Sequence, residues 1–202
     1  MLGARERKQL TDDVQYLNLE EMKKFCRTHE LPLQIHVERP DGRLLRTPDR
    51  DRKDVVLARI LQFAIRGRRS GPTVYPMSVV AKSPLPTPLT ARTRVRYGQY
   101  EKKNREFVNC LVQLTDGAFR TGMIARLVLR DFWTAGKAPT MKQLAGAWLQ
   151  ANRDHTSPRP EGAYLADLAR GTAGSDWKGL RVRRAARALR QLESLIAARE
   201  SC

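Results

Sequence analysis

Residues 67–90, "GRRSGPTVYPMSVVAKSPLPTPLT", carry five prolines and two glycines, and no continuous helix can run through them. Whatever this chain folds into has to be built from what lies before and after that stretch. The composition predicts an extended connector laid across the surface, with a proline-rich linker at 71–90. At 202 residues the chain has length for one domain or two small ones. The expected division is a module over 1–70, the linker, a small helical domain over 91–155, and a loop with a terminal helix over 156–202.

Before the linker, Asn18 followed by Glu21 reads as a capping box, and Leu19, Met22, Phe25 and Cys26 follow at helical spacing until Pro32 stops them. That predicts a helix of about 11–13 residues. Residues 33–47 alternate Leu33, Ile35 and Val37 and then turn at Asp41-Gly42, which suggests a short β-hairpin. A second helix is expected over 52–65, with Asp51 as its N-cap, Asp54 in its first turn and Val55, Val56, Ile60, Leu61 and Phe63 on its apolar side.

After the linker the helical rhythm returns over 97–151. Three segments end or start at Asp116-Gly117, Gly136 and Thr140. They could enclose Phe107, Leu111, Ile124, Leu127, Leu129, Phe132, Leu144 and Trp148 in one core. The tail is an amphipathic helix in which Val182, Ala185, Leu189, Leu192 and Ile196 form a stripe, while Arg183, Arg187 and Arg190 line another face. The expected fold class is mainly α.

Charge is the strongest compositional signal. Thirty-eight Lys and Arg face 21 Asp and Glu, for a net charge of +17 and a pI near 10.6. A protein this basic meets nucleic acid or an anionic membrane. No run of 18 apolar residues suggests a membrane span, and the opening "MLGARERKQLTDDVQ" lacks the apolar core of a secretory signal. Cys26, Cys110 and Cys202 are widely separated and odd in number, which suits a reducing cytoplasm better than a disulfide framework.

Catalytic patterns are missing. His29, His36 and His155 have no metal-ligand spacing with the cysteines, so no metal and no cofactor is expected. Residues 117–123, "GAFRTGM", copy the glycine spacing of a P-loop, but Met123 stands where the phosphate-gripping lysine is required. Asp12-Asp13 and Glu20-Glu21 are adjacent pairs that diverge on a helix. An enzyme is not expected.

Two stretches carry a family resemblance. Leu17, Leu19, Met22-Lys23, Cys26 and Leu31-Pro32, followed by Lys53-x-x-Val56-x-x-Arg59-Ile60, resemble the SAP motif, a helix pair that binds DNA. In that family a short glycine-bearing loop joins the helices, whereas here Leu33–Arg50 is inserted. Residues 88–148 look like the small uncharacterised domain that accompanies SAP modules in some bacterial proteins, through Pro88-Leu89-Thr90, Arg105, Phe107, Gly117, Phe119, Phe132, Gly136, Thr140 and Trp148.

The resemblance implies binding of duplex DNA, with the amino end of the second helix on the phosphates and a tolerance, or an AT preference, in sequence. Lys23, Arg43, Arg46, Arg50, Arg52, Lys53 and Arg59 are the expected contacts, extended by Arg183, Arg187 and Arg190 of the tail. Arg59 could instead pair with a carboxylate of the first helix. The expected location is the bacterial cytoplasm, at the nucleoid. The tail stripe also offers a seam for a homodimer. RNA binding and a non-enzymatic adaptor role are the two rival readings.

Overall fold

The computed structural model describes residues 3–154 and 177–201. The chain is mainly helical and divides into two units. The first holds residues up to Gln34, residues 49–72 and the carboxy-terminal helix. The second holds residues 35–48 and 73–156. Among the described residues, no helix is long and apolar enough to cross a membrane.

In the first unit, α1 (Ala4–Val14) precedes α2 (Leu19–Thr28), and α3 (Lys53–Arg66) follows the excursion of the chain into the second unit. The expected capping box at the start of α2 is present: Glu21 N–H donates to Asn18 Oδ1 at 2.8 Å, and Asn18 N–H to Glu21 Oε2 at 2.7 Å. The helix is ten residues long, slightly shorter than its signals suggest. The long α7 (Trp177–Glu200) packs against both α1 and α3. It contributes Ala185, Ala188, Leu192 and Ile196 to a core shared with Leu10, Val14, Leu17, Met22, Phe25, Cys26, Val56, Leu57 and Ile60. Val182, expected on that stripe, is exposed instead. The small Ala188 lies in the seam, where a bulkier residue would hold the helices apart.

Helix α1 has no counterpart among the expected elements. Its first nine residues hold one apolar residue beyond alanine, Leu10 as the seventh, so the sequence shows no stripe. The chain needs only Leu10, Asp13 and Val14 to face inward, because α7 supplies the other side of the contact.

The start of α3 also differs. Arg52, not Asp51, occupies the N-cap, and it makes no side-chain cap hydrogen bond. Asp51 is engaged elsewhere, as described below. The helix ends at Gly67, whose φ of 69° is the left-handed conformation that a C-cap glycine supplies cheaply.

In the second unit, β1 (Gln34–Glu38) and β2 (Leu44–Arg50) flank the turn at Gly42, as the Asp41-Gly42 pair indicates. A third strand, β3 (Val74–Tyr75), runs parallel to β1 with His36 opposite Val74 and Val37 opposite Tyr75, giving the order β2-β1-β3. The proline-rich stretch is therefore not a linker. It enters the sheet, forms a short 3-10 turn at Met77–Val79, and buries Tyr75 completely. Tyr97 N–H donates to Val79 O at 2.8 Å and Ala81 N–H to Tyr97 O at 3.0 Å. Proline forbids helix but leaves neighbouring N–H groups free to pair in extended backbone, so a stretch that reads as solvated lines the core.

Helices α4 (Arg105–Leu114), α5 (Met123–Thr134) and α6 (Met141–Asp154) complete this unit. Helix α4 begins eight residues later than the rhythm suggests, where Asn104 caps it through Phe107 N–H at 3.0 Å. Phe107, Leu111, Leu127, Leu129, Leu144 and Trp148 are buried as expected. Ile124 and Phe132 are only partly buried, and Trp133 takes the interior place, donating from Nε1 to Val95 O at 3.2 Å. The domain division thus differs from the expected one at both ends. The hairpin belongs to the second unit, and the terminal helix is part of the first.

Cys26 is 1% exposed, and burial pushes its thiol up to about 11, with nearby Arg59 pulling weakly the other way. At neutral pH it is protonated and enclosed. Mass spectrometry after treatment with an aromatic disulfide reagent should find Cys26 unmodified in the native protein and modified once the first unit unfolds. Equal labelling rates in the native and denatured chain would contradict this packing.

Candidate nucleic-acid interface

Helices α2 and α3 lie together although 24 residues separate them, because the chain is tied shut where it leaves the first unit and returns to it. Asp51 N–H donates to Leu33 O at 2.9 Å, joining the end of the α2 segment to the start of the α3 segment. Residues 35–48 lie in the other unit, so α2 and α3 meet directly. The apolar positions of the motif, Leu17, Met22, Cys26, Leu31, Val56 and Ile60, are all buried in one core, while Leu19 is exposed.

The charged positions of the motif do something other than face solvent. Arg59 is only 6% exposed. Its Nη1 donates to Asp51 Oδ2 at 2.5 Å and to Pro32 O at 3.0 Å. The partner is thus a carboxylate just ahead of its own helix, not one on the first helix. A guanidinium held this way fixes the α2 exit and the α3 entrance together and cannot reach a phosphate. Lys53 Nζ donates to Gln15 O, in the turn between α1 and α2. Arg52 Nη2 donates to Asp54 Oδ2 at 3.0 Å, with both side chains partly buried. Lys23 Nζ sits 2.5 Å from Glu20 Oε1, and that hydrogen bond draws the Glu20 carboxyl below its ordinary range. The expected phosphate-holding tip is therefore largely committed to internal partners.

Helix α7 repeats the lesson and adds a distinction. Asp13 is fully buried and accepts from Arg184 Nε at 2.8 Å, from Arg187 Nε at 2.5 Å and from Arg187 Nη2 at 2.8 Å. The hydrogen bond to Asp13 raises the Arg187 pKa against the opposing effect of burial. Arg181 pairs with both carboxylate oxygens of Glu21, at 2.8 and 3.3 Å, and donates to Tyr16 O at 3.2 Å. Arg184 lies over the Tyr16 ring, 4.3 Å from its centroid. Arg199 caps the far end of α3 by donating to Phe63 O at 2.6 Å. Arg181 and Arg184 belong to the acid-free basic run of the tail, yet no internal pairing was expected for them or for Arg199, and their partners lie more than a hundred residues away.

What remains exposed is more selective. Arg183 and Arg190 are exposed on α7, and Arg187 is half exposed beside them despite its bond to Asp13. A helical rise of about 1.5 Å per residue spaces these three roughly 6 and 4.5 Å apart along the axis. In the other unit, Arg39, Arg43 and Arg46 are exposed around the hairpin turn, with Arg43 only loosely near Asp41 at 3.8 Å. Leu44 and Leu45 are half exposed between the last two. Arg50, at the entrance to the first unit, is exposed as well.

Of the ten expected contacts, the structure therefore leaves Arg43, Arg46, Arg50, Arg183 and Arg190 fully on the surface and Arg187 partly so. It withdraws Arg59, and it engages Lys23, Arg52 and Lys53 internally. No family model matches the chain, and neither a curated protein nor a solved structure does so.

Proposed function

We propose that this protein binds nucleic acid, duplex DNA foremost, by holding the phosphate backbone with little sequence preference. The observation that carries the reading is the set of arginines whose side chains are exposed on the surface. Arg183, Arg187 and Arg190 fall on one face of α7, and no acid lies between Lys178 and Arg190. A helix exposed only to water gains by alternating Glu with Arg at four-residue spacing, and this one does not.

The hairpin supports the same reading by a different geometry. Arg43 and Arg46 bracket two exposed leucines, a combination that suits a ribbon pressed into a groove, with guanidinium groups on the phosphates and apolar groups against sugars. The resemblance of the α2–α3 pair to the SAP motif favours DNA over other polyanions, with the contacts moved from the α3 tip to these surfaces. A reducing cytoplasm, at the nucleoid of a bacterium, is the compartment that fits the free Cys26 and Cys110 thiols.

Fluorescence anisotropy with a random 20-base-pair duplex at 50 mM salt tests the proposal. Binding is expected, and an equal mass of duplex RNA should compete less well than unlabelled DNA. Stronger competition by RNA would transfer the function to RNA. An anisotropy that stays flat at every protein concentration would leave the adaptor reading in its place.

A further inference from the structure

The second unit holds a recess of about 390 Å³ whose charged lining is entirely cationic. Arg94, Arg96 and Lys137 line it together with Phe132, Ser78 and Gln143, and no carboxylate lines it among the described residues. We propose that this recess binds the phosphate monoester of a nucleotide, with the base against the Phe132 ring. The inference does not rest on the duplex-binding reading, since it concerns other residues and another ligand chemistry.

The three cations come from two rigid segments brought together by backbone pairing. Val95 N–H donates to Pro139 O at 2.8 Å and Met141 N–H to Thr93 O at 2.9 Å, so the extended stretch at 93–96 is bonded to the chain entering α6. Arg94 and Arg96, two residues apart on extended backbone, point to the same side. Gly136, with φ of 69°, turns the chain at the end of α5 and sets Lys137 at the recess. Trp133 Nε1 bonded to Val95 O fastens α5 beneath the same stretch.

The charges are unspent. Arg94 donates once, from Nη1 to Ala138 O at 3.0 Å, which fixes the guanidinium and leaves its other N–H groups available. The side chains of Arg96 and Lys137 make no hydrogen bond or ion pair with any described residue. This separates them from Arg59 and Arg184, whose carboxylate partners are built into the fold. Arg94 and Lys137 are exposed and Arg96 is partly buried around the recess, so water screens much of their repulsion, and an anion placed among them relieves what remains. A dianion does so better than the single charge of a backbone diester. The donors of the neighbouring helix are already occupied, because Thr140 and Gln143 cap each other at 2.9 and 3.2 Å. Attraction therefore comes from the side chains.

Phe132 explains the second half of the ligand. It was expected in the core, yet it is only partly buried and lines the recess. An apolar ring beside a cationic cluster matches a base attached to a phosphate.

Isothermal titration of the full chain with adenosine 5′-monophosphate, against adenosine as control, tests the inference. The nucleotide should saturate one site with a Kd below about 1 mM, and the nucleoside should bind at least tenfold more weakly. The Arg96→Gln/Lys137→Gln variant removes no hydrogen bond of the fold, so its circular dichroism should be unchanged and its nucleotide affinity at least tenfold lower. Should that variant fail to fold, Arg96→Gln alone replaces it, with a severalfold loss expected. A short strand with a 5′-phosphate, compared with the same strand ending in a 5′-hydroxyl, then identifies the source of the monoester. Preference for the phosphorylated strand assigns the recess to strand ends, and its absence assigns it to free nucleotide. Absence of saturable nucleotide binding, or equal affinity in the folded variant, overturns the inference. Loss of duplex binding alone would leave it standing, and loss of nucleotide binding alone would leave the duplex reading standing.

Discussion

Replacing Arg59 with alanine is expected to cost the first unit about 3–5 kcal/mol, enough to remove a large share of the stability of a small domain. The reason is the company the guanidinium keeps. Asp51 is as enclosed as Arg59, with side-chain exposures of 4% and 7%, and the pair is joined at 2.5 Å. Alanine would strand a carboxylate away from water and leave Pro32 O without its donor. The double variant Asp51→Ala/Arg59→Ala should lose less than the two single variants added together, because each single change already destroys the pair. Urea denaturation monitored by far-UV circular dichroism measures all three. A neutral Arg59→Ala would place the side chain in solvent and restore it as a phosphate contact.

Asp13→Ala is the second large effect, expected at about 2–3 kcal/mol, smaller because its partners are less enclosed. Asp13 is wholly buried, but the side chains of Arg184 and Arg187 are 27% and 46% exposed. Once the carboxylate is gone, both arginines can turn toward water and recover part of their hydration. What cannot be recovered is the link between α1 and α7, which Asp13 makes through three hydrogen bonds. The thermal midpoint should fall by several degrees, and the amide protons of α1 should exchange faster than those of α3. Uniform exchange across the unit would show that α1 is held by apolar contacts alone. The same variant separates folding from function. It frees two positive charges on α7, so duplex affinity per folded molecule should stay level or rise.

These two carboxylates show where sequence reading succeeds and where it stops. Local signals were legible. The Asn18–Glu21 box and the Asp41-Gly42 turn act over two to four residues, and each is visible as a pattern of types, whereas the Asn104 cap went unread and the start of α4 was placed too early. Much of the buried set of the α2–α3 pair was legible for the same reason, since helical spacing fixes which side chains share a face. Leu19, however, is exposed, Val55 and Leu61 are only partly buried, and the buried Leu57 was missed. Arginine is different. Its type and position are plain, but its role depends on whether a carboxylate arrives from elsewhere in the chain. Arg187 meets Asp13 across 174 residues, and Arg181 meets Glu21 across 160. Arg59 and Asp51 are eight residues apart, yet only the extended backbone ahead of α3 brings them into contact. A cluster of positive charge at a helix start reads as an anion site when these partners are out of view.

The proline-rich stretch failed for a related reason. Composition reports which backbone shapes are forbidden, and it correctly removed helix from 67–90. It could not report that extended backbone there pairs with β1 and with Tyr97. Parallel pairing joins residues distant in sequence, here about 38 apart, and leaves no local mark. Phe132 and Trp133 show the same limit on a smaller scale. Both are aromatic neighbours on α5, and the Val95 carbonyl decides which of them turns inward.

Under the proposed function the basic residues divide their labour: those joined to internal carboxylates and carbonyls build the fold, and those exposed on the surface would hold the phosphates. The salt dependence of duplex affinity tests this most directly. In the wild-type protein, log K should fall steeply and linearly with log salt concentration, by about 0.9 for each phosphate neutralised. The Arg43→Gln/Arg46→Gln/Arg183→Gln/Arg190→Gln variant should keep its stability and lose up to about four units of that slope, whereas Lys53→Gln should lower stability and leave the slope alone. An unchanged slope in the four-residue variant, together with a slope reduced by Lys53→Gln in folded protein, would contradict the division and return the interface to the tip of α3.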